Sequence, residues 1–169
     1  SLKAALSMSL RAGDPLAQKL PRREYARSGK YLSVLGFGGI IVMNETPEFS
    51  ARVVRDAVER GVNYFDVAPA YGDAQAKLGP ALEPYRDGIF LACKSNLRDA
   101  KGASEQMEES FRLLRTDYFD LYQLHAIIDV EKDVEAVFGP GGAWEPIMEA
   151  KEAGRIRHLG FSAHTVEAA

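Results

Sequence analysis

The chain has 169 residues, a formal net charge of −3 and 46% hydrophobic residues, the profile of a globular domain with a real core. That balance argues against a nucleic-acid surface, which needs clustered positive charge, and no apolar run approaches the ~18 residues that a membrane helix requires. The single cysteine leaves no internal disulfide, so a reducing, cytoplasmic setting is expected.

Residues 1–21 read as a poorly ordered N-terminal extension, and 22–169 as the folded domain. Serines interrupt the short Ala/Leu stretch at the start and no cleavage signature follows, so a signal peptide is not indicated. From Arg23 to Ser33, charged and aromatic residues alternate around Ser28-Gly29, the pattern of a small hairpin. Val34–Val42 reads as the first long strand, interrupted by Gly36, Gly38 and Gly39. The next helix has Thr46 as N-cap, Pro47 at its first position and Gly61 after its end. Phe49, Val53 and Ala57, with Val54 and Val58, form its apolar stripe. A strand ending at Asp66 follows, then a helix over Ala74–Leu82 stopped near Pro84, then a strand ending at Lys94. Ser104 is expected to cap a helix whose stripe is Met107, Phe111 and Leu114. A strand ends at His125. The long segment Ala126–Gly142, read as a flexible mouth loop at Gly139–Gly142, leads to a helix over Trp144–Ala153 closed by Gly154, and a fifth strand spans Arg157–Ser162. This β-α-β-α-β-α-β-α-β order calls for a parallel sheet with helices outside it.

In such a sheet the carboxyl ends of the strands face one mouth, where barrel enzymes do their chemistry. Asp66, Lys94 and His125 close their strands there, and Tyr71 follows Asp66 by five residues. Side chains alternate along a strand. If Lys94 points inward, so do Ala92 and Phe90, while Cys93 and Leu91 pack under the helices. If His125 points inward, so does Gln123, with Tyr122 and Leu124 outward. His158 shares a face with Gly160 and Ser162 but lies at the opposite end of the barrel. A tyrosine phenol is a poor acid or base at neutral pH unless a neighbour such as a lysine ammonium lowers its pKa. A buried lysine in turn wants a carboxylate partner, and Asp66 fits. His125 can donate to a carbonyl oxygen. The run Gly36-Phe37-Gly38-Gly39-Ile40-Ile41 lacks the third glycine of a dinucleotide fingerprint. Close backbone packing and ligand approach both remain open for it.

The stretch Gly61-Val62-Asn63-Tyr64-Phe65-Asp66-Val67-Ala68-Pro69-Ala70-Tyr71-Gly72 resembles the aldo-keto reductases. So do Leu91–Ser95, Thr116–His125 and Gly154–Ser162, in the family's order. The resemblance covers roughly residues 22–166. It implies an α/β fold of the (β/α)8 TIM-barrel type, represented here by about its first five βα units. It implies an oxidoreductase that reduces a small-molecule aldehyde or ketone with NADPH (NADP). Tyr71 is then the proton donor, Lys94 its tuner, Asp66 the lysine's partner and His125 the substrate orienter. Gly38 and Ser162 lie where similar proteins approach the nicotinamide, and no metal is expected.

Two other readings stand beside this one. Lys94 could form a Schiff base in an aldolase-like barrel, or the chain could be a non-catalytic NADPH-binding or regulatory subunit. Eight strands and ~250 residues normally close such a barrel. Five leave two open edges and an inner face, including Phe90, Ala92 and Leu121, without its opposite wall. The chain alone is therefore expected to self-associate and to be inactive.

Overall fold

The computed structural model describes residues 19–169, so most of the extension expected over residues 1–21 lies outside the described residues. A hairpin comes first, β1 (Arg22–Glu24) antiparallel to β2 (Tyr31–Ser33), with Gly29 at φ 72° in its turn. Five strands follow: β3 (Phe37–Gly38), β4 (Tyr64–Asp66), β5 (Phe90–Ser95), β6 (Phe119–Ile127) and β7 (Ile156–Ala163). They form one parallel sheet in sequence order. Helices α1 (Pro47–Glu59), α2 (Ala74–Leu82), α3 (Ala100–Leu114), a short α4 (Ala136–Phe138) and α5 (Trp144–Glu152) lie between them. The alternation matches the order expected from sequence.

Local chemistry explains most boundaries. Thr46 Oγ1 accepts from the Phe49 amide at 3.1 Å and starts α1 at Pro47. Gly61, at φ 94°, takes the left-handed position after its end. Three expectations need correction. The strand expected over Val34–Val42 shrinks to Phe37–Gly38, and Gly39–Val42 coils into a 3-10 turn. The backbone there runs against β4 too closely for side chains. A Cβ on Gly36 would lie 2.6 Å from Tyr64 Cδ1, and one on Gly39 2.9 Å from Val67 Cβ. Next, α3 starts before Ser104, because the Asp99 carboxylate accepts from Gly102 N at 2.8 Å and caps it. Finally, the segment expected as a flexible mouth loop is tied down. Ala100 N donates to Gly141 O at 2.8 Å, and Ala143 N to Arg98 O at 2.7 Å. Asp133 accepts from Arg98 Nε and from the Ile128 and Asp129 amides, each at 2.9 Å.

The sheet has two buried faces. Leu91, Cys93, Tyr122 and Leu124 pack under the helices with Leu78, Met107 and Phe111. Phe90, Ala92 and Leu121 face the barrel interior. Both assignments follow the alternation read from sequence. The inner face is nevertheless not open as expected. Tyr25 and Leu32 of the hairpin region, with Tyr64, pack over it, and Phe90 is only 2% exposed. Tyr25 lies 5.2 Å from both Phe90, tilted to it, and His158, edge to face, and His158 stacks on Phe90 at 6.2 Å. The hairpin is thus a floor for the barrel, which the sequence pattern did not reveal. Large apolar side chains do stand exposed beside the edge strands β3 and β7, including Ile40, Ile41, Phe138 and Phe161.

Asp120 locks that floor. It is 1% exposed and accepts from Lys30 Nζ at 2.9 Å, Arg157 Nη1 at 2.8 Å, Arg86 Nη1 at 3.2 Å and the Leu91 amide at 3.0 Å. Burial pushes its carboxyl up, but the Leu91 amide and the Lys30 and Arg86 charges outweigh burial and hold the pKa below the ordinary carboxylate value. Tyr118 is sandwiched at 3.8 Å between the guanidinium groups of Arg86 and Arg157.

Two substitutions test this packing. Gly79→Ala would put a Cβ 2.1 Å from Leu113 O at the α2–α3 crossing and should lower stability by about 2 kcal/mol, read as a lower denaturation midpoint. An unchanged midpoint would show that the helices slide apart freely. Asp120→Asn should cost about 3 kcal/mol at neutral pH, because three cations lose their buried anion. A carboxylate with a depressed pKa stabilises above its unfolded value and stops doing so as pH falls through the folded one. The gap between wild type and variant should therefore close on acidification, as thermal melts across acid pH would record.

Candidate active site

Parallel pairing brings the strand ends to one side. Asp66 ends β4 opposite Ala92, and Lys94 of β5 lies opposite Gln123 of β6. Tyr71 sits on the turn between β4 and α2. Asp66, Tyr71, Lys94 and His125 meet there. Lys94 is 5% exposed. Its ammonium pairs with Asp66 Oδ1 and reaches Val67 O and Tyr71 Oη, each at 3.4 Å. Three N–H groups thus face three acceptors. It also lies 5.1 Å from the centroid of the Tyr71 ring. Gln123 Nε2 donates to the other Asp66 oxygen at 3.2 Å, so both carboxylate oxygens are engaged. The Tyr71 and His125 rings meet edge to face at 5.9 Å and 88°.

His125 occupies an irregular place. The β6–β7 register shifts between Leu124 and Ile127, and Ala126 adopts φ 55°, a left-handed conformation that costs an alanine about 1–2 kcal/mol. Neighbours hold it there. The Ala126 amide donates to Ser162 Oγ at 3.0 Å, Arg98 Nη2 donates to His125 O at 2.7 Å, and His125 Nδ1 lies 2.8 Å from Asn96 Oδ1. Burial and the Lys94 charge push the His125 pKa below its ordinary value. Asp66 opposes them, and His164 and Arg98 add smaller downward contributions. Asn96, Arg98 and the anchoring role of Gln123 escaped the sequence reading. Alternation from Lys94 along β5 would have pointed to Asn96.

The other residues singled out from sequence also have places. Burial pushes the Cys93 thiol up to about 11, and Gln75 Nε2 lies 3.3 Å from its sulfur. It is an inert core group rather than a reactive one. Gly36 and Gly39 serve close packing, whereas a Cβ on Gly38 would meet nothing within 4 Å. Ser162 Oγ accepts from Ala126 N and keeps its own hydrogen to donate. His158 lies on the floor against Phe90 and Tyr25, away from this mouth. Among the described residues, no helix is long and apolar enough to cross a membrane, and no three His, Cys, Asp or Glu side chains gather to hold a metal.

Residues 34–169 match the Aldo/keto reductase family. The chain belongs to that family. It is 31% identical over 153 residues to the aldo-keto reductase YhdN of Bacillus subtilis, covering 80% of this chain and 43% of the relative. It is 28% identical over 160 residues to Protein REDOX 2 of Catharanthus roseus, covering 83% and 49%. Among solved structures it resembles the holo form of an aldo-keto reductase from Bacillus halodurans, at a TM-score of 0.71 and 29% identity, covering 86% of this chain and 51% of that one. This aldo-keto reductase chain therefore spans about half the length of the curated relatives it matches. Its five-stranded parallel sheet is part of the family's α/β barrel.

The charges around His125 give a prediction. Its ring should titrate below the ordinary 6.5 and be neutral at neutral pH. Lys94→Met removes a positive charge while leaving Asp66, so the midpoint should rise. Histidine ring resonances followed by NMR against pH would measure both. A midpoint that falls in the variant would contradict the assigned cause. Because the folded value lies below the unfolded one, this group's contribution to stability is present above 6.5 and is lost as pH falls below it.

Proposed function

We propose that this chain carries the reacting end of an NADPH-dependent carbonyl reductase, which turns a small aldehyde or ketone into an alcohol with Tyr71 as proton donor. One observation carries the reading: a single buried ammonium, Lys94, serves the Asp66 carboxylate and the Tyr71 hydroxyl together. When bound, NADPH supplies a hydride to the carbonyl carbon. The carbonyl oxygen gains the π electron pair and needs a proton, and Tyr71 Oη delivers it. The Lys94 charge stabilises the phenolate left behind, so the proton moves more easily. Asp66 pairs with the Lys94 ammonium, and Gln123 holds Asp66 in place. His125, edge-on to Tyr71, borders the reacting carbonyl and orients it. Gly38 and Ser162 would hold the nicotinamide end. Family membership supports all of this.

A Schiff-base role for Lys94 would need a neutral amine, and the adjacent Asp66 carboxylate opposes that. The assay belongs on the natural polypeptide that carries these residues, with NADPH absorbance followed over a panel of aldehydes and ketones. Tyr71→Phe should lose ~100-fold or more in turnover and still bind NADPH, measured by fluorescence titration. Undiminished turnover would remove Tyr71 from the proton-donor role. NADPH binding by wild type without turnover of any carbonyl would favour a non-catalytic subunit instead.

A further inference from the structure

A histidine ring points where its backbone sends it. At the end of β6 that backbone is irregular: the pairing with β7 shifts between Leu124 and Ile127, and Ala126 takes φ 55°. An alanine without restraint returns to negative φ. The return requires the planar peptide unit between His125 and Ala126 to turn, and with it the backbone that carries the His125 ring. Both edges of that unit are held. Ala126 N donates to Ser162 Oγ at 3.0 Å, and His125 O accepts from Arg98 Nη2 at 2.7 Å. The Arg98 guanidinium is itself fixed, because Nε donates to Asp133 Oδ1 at 2.9 Å and Nη1 to Ser95 O at 3.4 Å. Asp133 Oδ2 then accepts from the Ile128 and Asp129 amides, each at 2.9 Å. One ion pair thus grips the chain just before Ala126 and again shortly after it. We propose that Arg98 and Asp133 are positioning residues: together they lock the left-handed turn at Ala126 and so keep the His125 ring edge-on to Tyr71.

The chemistry of the pair suits a brace. A guanidinium presents its N–H groups in one rigid plane. Here three of them reach three oxygens, at the ends of β5 and β6 and in the turn before α4. The two side chains are 15% and 19% exposed, so water competes with the pair less than it does at an open surface. The backbone of Arg98 is anchored too, since its carbonyl accepts from the Ala143 amide at 2.7 Å. The bonds of the Lys94 ammonium go to Asp66, Val67 and Tyr71, so loosening the brace should leave them in place. The inference rests on the reading that His125 orients the reacting carbonyl.

The test uses the natural polypeptide that carries these residues, with labelled histidine and tyrosine. The Tyr71 and His125 rings, edge to face at 5.9 Å, should give ring-to-ring nuclear Overhauser effects. So should Tyr25 and His158 on the floor, edge to face at 5.2 Å, and these report that the fold is intact. Arg98→Met and Asp133→Ala should each lose the Tyr71–His125 effect and keep the Tyr25–His158 one. The double variant should do no more than either single one, as expected of residues that act as a unit. Turnover should fall ~100-fold through kcat, with NADPH affinity unchanged. An intact Tyr71–His125 effect in either folded variant would overturn the proposal whatever happened to turnover, as would its absence from wild type. A lost effect with full turnover would leave the brace standing and remove His125 from orienting the carbonyl. If one variant fails to fold, the other decides.

Discussion

Asp120 accepts from Lys30, Arg86, Arg157 and the Leu91 amide, and so joins the hairpin, the turn after α2, β7 and β5 to β6. A buried carboxylate is tolerated only when its lone pairs are met by donors, so these segments are fixed relative to one another by one side chain. Phe90, packed against Tyr25 and stacked with His158, lines the same region with apolar surface. Water is thereby kept from the floor beneath Lys94. An ammonium and carboxylate above a dry floor interact more strongly than they would in water. The electrostatics at the mouth depend on the packing at the other end.

The two ends of the sheet divide the work. At the floor, aromatic rings pack around His158 and four donors engage the Asp120 carboxylate. At the mouth, Tyr71 Oη has, among the described residues, only a long contact from Lys94 at 3.4 Å, and Gly38 opens onto free space. That contrast is expected of parallel barrels, where strand C-termini carry chemistry and N-termini carry stability. His158 and His125 show it within one residue type. The first is wedged between rings, and the second is poised by hydrogen bonds at its ring, its carbonyl and the next amide.

The candidate site was legible because strand ends are marked in the chain by apolar runs that stop at a charged residue. Period-two alternation then assigned Phe90, Ala92, Cys93, Tyr122 and Gln123 to their faces. Features set by contacts between distant segments were not legible. Alternation places Asp120 with Tyr122 and Leu124 under the helices, but Phe119 takes that side by stacking on Phe111 at 4.3 Å, and the pattern breaks at the start of β6. Likewise nothing local in Tyr25 or Leu32 says that they cover β5. The cap at Asp99 was overlooked because Ser104 is an equally good capping residue, and only the placement of Gly102 beneath the Asp99 carboxylate distinguishes them. The bulge at Ala126 ran against propensity, since a strained alanine beside a candidate site histidine is held by tertiary partners alone.

The spacing of the ionic contacts along the chain has a consequence for how the molecule assembles. Asp66 and Lys94 are 28 residues apart, whereas Lys30 and Asp120 are 90 apart. Closing the longer loop costs about 1 kcal/mol more in chain entropy, and during synthesis Asp120 and then Arg157 emerge after the mouth pair is already available. The hairpin, although made first, has nothing to cover until β5 and β6 have paired. Closure of the floor is therefore a late, long-range event, and the Asp66–Lys94 pair forms from nearer neighbours over a base that is still wet.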